Sequence, residues 1–305
     1  MLSGLVIALA CQPNNSREDN DRFTIVATTG MIADAARIIG GDSTQVIGLM
    51  GPGVDPHLYK PTQGNIQDLY RADLVLYNGL MLEGKMQEVL EKMQHNKPVA
   101  AVTTDIPEDK LLIPEGHAGA PDPHIWFDVQ LWQIAVKTIS QQMQENNPGQ
   151  AATYQRNTSN YLQQLDSLDL WVHQTLARIP KEQRVLITAH DAFGYFGVAY
   201  DMEVRGLQGI STLAEYGLRD IQDLVAFIAA RKIPAVFIES SVSAKALEAV
   251  VSGARDRGQP LRIGGSLFSD ALGPAGTPEG TYVGMVHHNI TTITEALTTN
   301  DYTSR

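Results

Sequence analysis

Three histidines and one aspartate occupy loops that follow strand-like runs and leave a side chain little freedom. His57 lies in GPGVDPHLYKPT (Gly51–Thr62), a turn stiffened by Pro52, Pro56 and Pro61, directly after the apolar run Gln45–Met50. His124 lies in PDPHIWFD (Pro121–Asp128), again fixed by prolines and placed ahead of a helix. His190 ends the strand-like VLITAH, and Asp270 follows LRI within GGSLFSDAL (Gly264–Leu272). In open α/β sheets, ligands bind outside the carboxyl ends of strands. Three imidazoles and a carboxylate form a donor set for a first-row transition metal, because borderline nitrogen donors suit zinc and its neighbours better than calcium or magnesium. Each of these side chains also has the plainer reading of a solvated or hydrogen-bonded loop residue.

The other histidines fit that plainer class. His95 sits in a polar turn, His117 in a Gly- and Pro-rich loop, and His173 on a long helical stretch. His287 and His288 are adjacent on a helix, so their rings diverge by about 100° and do not readily share one ion. Asp122 and Asp128 flank His124, and either is placed to orient its ring or to cap the following helix. Glu239, at the end of IPAVFIE, suits either an acceptor for a ligand histidine or a buried cap.

Rival chemistries leave weak traces. Gly79–Met86 (GLMLEGKM) follows a phosphate-loop pattern as far as its lysine but puts Met86 where Ser or Thr must bind magnesium. There is no HExxH pair and no GxSxG elbow, which lowers zinc-protease and serine-hydrolase readings.

The elements that must hold these loops alternate between strand and helix. Strand-like runs fall at Phe23–Thr28, Gln45–Met50, Asp73–Tyr77 and Val99–Val102, with helical patterns at Met31–Ile39, Gly64–Arg71 and Glu83–Met93. A second series has strands at Arg184–Thr188, Glu203–Leu207, Ala235–Ile238 and Leu261–Ile263, with helices at Leu218–Arg231, Ala244–Arg257 and Tyr282–Thr298. Such alternation predicts α/β architecture: two doubly wound lobes with mostly parallel sheets. Between them, Pro148 and Pro180 bracket a stretch whose apolar positions recur at three- and four-residue steps. The spacing predicts one rigid helix of roughly 30 residues over Gln150–Ile179, about 45 Å long. The expected division is therefore 23–148 for the first lobe, 149–180 for the linking helix and 181–305 for the second lobe.

Charge and composition narrow the partners. The 305 residues hold 23 Lys+Arg against 34 Asp+Glu, a net charge of −11 that argues against a nucleic-acid ligand. With 43% hydrophobic residues the chain can bury a real core, and its single cysteine rules out an internal disulfide or a thiolate zinc site. No apolar stretch is long enough to span a bilayer. Residues 1–22 instead suit an export signal. The short apolar run LSGLVIALA leads to Ala10-Cys11, which resembles a bacterial lipobox, and a polar tether, QPNNSREDNDR, follows. Position −3 is Ala8 and no Lys or Arg precedes the run. The alternative is a buried N-terminal strand ending in a structural cysteine.

The motifs GPGVDPHLYKPT, DPHIWFD, TAHDAFGYF, LQGIST, IPAVFIESS, GGSLFSDALG and GTYVGMVHHNI together resemble those of the cluster A-I metal-binding receptors, the solute-binding lipoproteins of bacterial zinc and manganese ABC importers. The likeness runs from about Phe23 to Leu297 and is greatest for the TroA-like branch, because the third ligand position is a histidine in TAHDAF. The resemblance implies two α/β lobes joined by one long helix, with a single zinc or manganese ion held between them by His57, His124, His190 and Asp270. It further implies a monomeric, non-enzymatic receptor, exported to the periplasm or the outer face of the cytoplasmic membrane and lipid-anchored at Cys11. Its partners would be a membrane permease and its ATPase. The long histidine-rich loop common in zinc-dedicated members is lacking: Asp105–Pro123 is short and carries only His117. Two other classes compete, a zinc-dependent hydrolase using the same ligands and a surface adhesin lipoprotein whose metal is incidental.

Overall fold

The computed structural model describes residues 22–114, 119–213 and 216–298. The segment expected to be an export signal, Cys11 and His117 lie outside the described residues. Two sheets of four parallel strands form the frame. In the first, β1 (Phe23–Ala27), β2 (Thr44–Gly48), β3 (Leu74–Tyr77) and β4 (Val99–Ala101) take the order β2-β1-β3-β4, connected by α1 (Gly30–Gly40), α2 (Gln63–Arg71) and α3 (Gln87–Met93). After α4 (Val129–Asn146) and α5 (Ala151–Leu176), the second sheet repeats the pattern. Here β5 (Val185–His190), β6 (Glu203–Gln208), β7 (Ala235–Glu239) and β8 (Arg262–Leu267) take the order β6-β5-β7-β8. Its helices are α6 (Gly194–Tyr200), α7 (Leu218–Arg231), α8 (Lys245–Asp256) and α9 (Tyr282–Thr298). The central strands read as continuous apolar runs because helices cover both faces. LVLY of β3 and VLITAH of β5 are buried throughout.

Alternation along the strands sends their side chains into different layers. Ile25, Leu74 and Leu76 from the first sheet and Leu186, Ala235 and Phe237 from the second join one apolar core with α1, α4, α5 and α9. The opposite faces carry separate clusters, one under α2 and α3, the other under α7 and α8. The lobes therefore share a continuous interior. Helix α5 runs through it, burying Tyr161, Leu165, Leu168, Val172 and Leu176 against α1, α4 and α9. A second connection is polar: Asp34 of α1 accepts the N–H of Tyr282 at the start of α9 (2.9 Å).

Three elements differ from their expected bounds by more than two residues at one end. The long helix has 26 residues, or about 39 Å, because Pro148–Gln150 form a separate 3-10 turn and the chain leaves the α-helix after Leu176. Strand β8 continues through Gly264 and Gly265 to Leu267. A Cβ at Gly264 would lie 2.8 Å from Ala296 and 2.9 Å from the Phe237 ring, so close packing, not a turn, accounts for that glycine. Helix α3 begins at Gln87 instead of Glu83, since Glu83 is used otherwise. Its fully buried carboxylate accepts the Thr28 hydroxyl (2.7 Å) and the N–H groups of Asn78 (2.7 Å) and Gly79 (3.2 Å). Within the Gly79–Met86 segment, the first glycine's amide is thus already taken by the chain's own carboxylate.

Candidate metal centre

His57, His124, His190 and Asp270 converge between the two sheets, on loops at or beyond the carboxyl ends of β2, β4, β5 and β8. One potential ligand atom from each lies within 4.8 Å of all the others, and every one of the four residues is at most 2% exposed. Nε2 of His57 stands 3.3 Å from Nε2 of His124. Asp270 Oδ1 is 3.4 Å from His124 Nε2, and its Oδ2 is 3.3 Å from His190 Nε2 and 3.8 Å from His57 Nε2. Zinc-ligand bonds of about 2.0–2.1 Å at the tetrahedral angle place neighbouring donor atoms about 3.3–3.4 Å apart. Both oxygens of Asp270 and Nε2 of His190 are buried without an aligned hydrogen-bond partner. Buried polar atoms left this way are costly, and a cation among them offsets that cost. The donor set and its spacing fit one divalent transition-metal ion.

Supporting groups fix the imidazoles. Asp122 Oδ1 accepts both the backbone N–H of His124 (2.9 Å) and its ring Nδ1 (2.7 Å). A carboxylate only accepts, so Nδ1 donates and Nε2 is the ring nitrogen left facing the cleft. Asp128 instead caps α4, accepting from Gln130 (2.8 Å) and Leu131 (3.2 Å). Glu239 accepts the His190 backbone N–H (2.9 Å) and brings Oε2 to 2.6 Å from its Nδ1. The two alternatives for each of these three carboxylates are thereby separated by position.

Sequence reasoning gave Asp55 no role. D-P-H occurs twice, and in both copies the aspartate accepts the N–H of the histidine two residues on, a compact local turn. Asp55 uses its other oxygen across the cleft, where the Thr212 hydroxyl donates to Oδ2 at 2.6 Å. The repeated tripeptide was the available signal for Asp55; nothing in the sequence pointed to Thr212.

Burial and charge set the protonation of the cluster. Burial pushes the His57 imidazole down to about 3 despite the pull of Asp270. Burial also opposes charge on His190, but Asp270 and Glu239 on its two sides outweigh it and hold its pKa well above 6.5. Asp270 is itself desolvated, yet the three imidazoles keep its pKa below the ordinary carboxylate range. His287 packs on Trp171 (4.0 Å between centroids), His173 on Tyr200, and His288 reaches the carbonyl of Ser266 (2.9 Å). These three and the exposed His95 take no part in the cluster.

Comparison with known proteins agrees with this architecture. The family model described as zinc-uptake complex component A, periplasmic, matches residues 25–296. The chain is 51% identical over 278 residues to the manganese-binding lipoprotein MntA of Bacillus subtilis (strain 168), covering 91% of this chain and 90% of that protein. It is also 51% identical over 274 residues to the zinc-binding protein TroA of Treponema pallidum (strain Nichols), covering 90% and 88% respectively. The solved structure of the periplasmic zinc-binding protein TroA from Treponema pallidum matches with a TM-score of 0.88 at 51% identity, over 90% of this chain and 99% of that one. By the extent of these matches and by its two-sheet fold, the chain belongs to the ZnuA family of metal-binding receptors.

Proposed function

We propose that this protein is the extracytoplasmic receptor of a metal ABC importer. It captures one zinc or manganese ion with His57, His124, His190 and Asp270 and delivers it to a membrane permease driven by its ATPase. The observation that carries this reading is the closed cluster itself: two ligands come from each half of the chain, and all four are at most 2% exposed. Four protein donors complete a tetrahedral shell, whereas a hydrolytic zinc keeps one position open for water and needs a free base nearby. Glu239, the carboxylate nearest His190, is committed to that ring and its backbone. An enclosed ion leaves only when the lobes or their loops part, which suits capture and hand-over more than turnover. The named relatives bind manganese in one case and zinc in the other, and we carry both metals to this chain.

On the same reading the chain is exported to the periplasm or the outer face of the cytoplasmic membrane, is acylated at Cys11 and acts as a monomer. No described helix is long and apolar enough to cross a membrane. Elemental analysis of protein taken from its native membrane without added metal is the test. About one zinc or manganese per chain, lost in the His190→Ala variant, is expected. Metal-free protein that also fails to bind either ion in vitro, or metal content unchanged by the substitution, overturns the reading.

A further inference from the structure

The four ligands are not supported equally. His124 Nδ1 donates to Asp122, and His190 Nδ1 has the Glu239 carboxylate at 2.6 Å without an aligned hydrogen bond, whereas the oxygens of Asp270 face only the three imidazoles and likewise have no aligned partner. The position of that carboxylate is therefore inherited from its backbone. Within the second lobe, the Asn289 side chain accepts from the N–H of Phe268 (2.9 Å) and donates to its carbonyl (2.7 Å), and the hydroxyls of Ser241 and Ser269 lie 2.8 Å apart. These contacts hold the segment in its own lobe, and Leu267 and Leu272 on either side of it join the core shared by both lobes.

Trp126 adds a directed polar link beside the ligand itself. Its indole N–H donates to the carbonyl of Ser269, the residue before Asp270, at 3.0 Å across the two lobes. The indole stands on the same turn as His124, with the rings 5.2 Å apart, edge to face. Its own carbonyl accepts the Tyr282 hydroxyl (2.8 Å), and both Trp126 and Tyr282 are at most 1% exposed. A rigid aromatic plane thus runs from one ligand-bearing turn to the backbone of the other. On the reading that these four residues hold the ion, we infer that Trp126 is a positioning residue that sets the Asp270–His124 separation through its indole N–H.

A double-substitution cycle tests this. Zinc affinity is measured by competition with a chromophoric chelator for the parent, Trp126→Phe, Asp270→Asn and the double variant. If Trp126 acts through Asp270, Trp126→Phe weakens zinc by about tenfold in the parent and by less than about twofold once Asp270 has lost its charge, the non-additivity expected of coupled residues. An indole that only fills space gives the same loss in both backgrounds, and that result, or no loss in the parent, overturns the inference. Tyr282→Phe removes the hydroxyl behind the indole and leaves the core ring in place, so it supplies a second cycle of the same form should Trp126→Phe fail to fold. Asp270→Asn separates the two levels of the argument. If that substitution alone leaves affinity unchanged, the ligand set is wrong; if it weakens binding while both cycles are additive, only the role of Trp126 falls.

Discussion

His190 is held between two buried carboxylates, with Nδ1 2.6 Å from Glu239 and Nε2 3.3 Å from Asp270. A cationic ring in that place is well matched to its surroundings, and a metal ion must compete with the ring proton for Nε2. The two carboxylates thus favour a proton on this ring when no metal is bound.

Metal binding at about pH 7 should accordingly release about one proton per ion, and apparent affinity should fall about tenfold per pH unit on acidification. The proton comes from His190, whose pKa is held well above 6.5, and not from His57, which burial already keeps neutral down to about 3. Titration calorimetry in two buffers of different ionisation enthalpy counts the protons. Glu239→Gln should lower that count, because it removes one of the two charges holding the proton. Heats that are independent of buffer would contradict the arrangement.

The ring of His124 depends on a glycine in the other half of the chain. A Cβ at Gly194, the first residue of α6, would lie 2.8 Å from Asp122 Oδ2. Gly194→Ala should displace the carboxylate that orients His124 and weaken metal binding by about 10–100-fold, the usual effect of losing such a partner. Gly194 opens α6 and is not a helix-interior position, so little propensity gain offsets the contact, and the melting temperature of the metal-free variant shows whether it is well folded. Unchanged affinity in a well-folded variant would mean that Asp122 has room to yield while still holding the ring.

Much of this was legible in the sequence, for separable reasons. Central parallel strands covered on both faces are largely apolar, and proline-bound loops sit where the chain turns, so these strands and the loops of His57 and His124 could be found from residue type alone, with His190 marked by the end of its apolar strand. Helix α3 could not. Glu83 fits a helical period, and only the distant Thr28 hydroxyl together with the Asn78 amide shows that its carboxylate faces inward. Asp122 and Asp128 stand on either side of His124 with identical local chemistry, and three-dimensional placement alone separates ring holder from helix cap. The Trp126–Ser269 bond joins residues 143 apart in sequence, a distance at which spacing carries no information.

Asp34 offers a pH signature away from the metal. Burial pushes its carboxyl above the ordinary value of 3.8, against the opposing pull of the Tyr282 N–H and the Arg37 charge. An acid whose pKa is raised by folding stabilises the fold fully below its unfolded value and loses that contribution as pH rises through the folded one. Asp34→Asn keeps an acceptor for the first N–H of α9 and abolishes the titration. Its stability relative to the parent should therefore improve between about pH 4 and about pH 7. Asp34→Ala should instead cost about 1–2 kcal/mol at about pH 4 through loss of the cap, a cost that shrinks toward about pH 7 because the same titration is abolished. Denaturation curves at both pH values decide, and parallel pH profiles for parent and Asn variant would rule the effect out.

Asp270 and His190 should differ in what they contribute to the choice of ion. The three imidazoles are neutral as ligands, so an ion held by them alone keeps its full charge in a site whose residues are at most 2% exposed. The carboxylate halves that charge. Asp270→Asn keeps size and one oxygen donor but leaves the buried charge less compensated, a loss of about 3 kcal/mol or about a hundredfold in affinity. Every divalent ion should suffer, and manganese most, because it prefers oxygen donors whereas zinc can keep its nitrogens and take water as a fourth ligand. His190→Ala removes a preferred nitrogen donor and should injure zinc more than manganese. Competition titrations of both variants with both ions read the two ratios directly. If Asp270→Asn leaves both affinities intact while His190→Ala abolishes them, Asp270 is not a ligand, and the buried carboxylate serves only to hold the His190 proton.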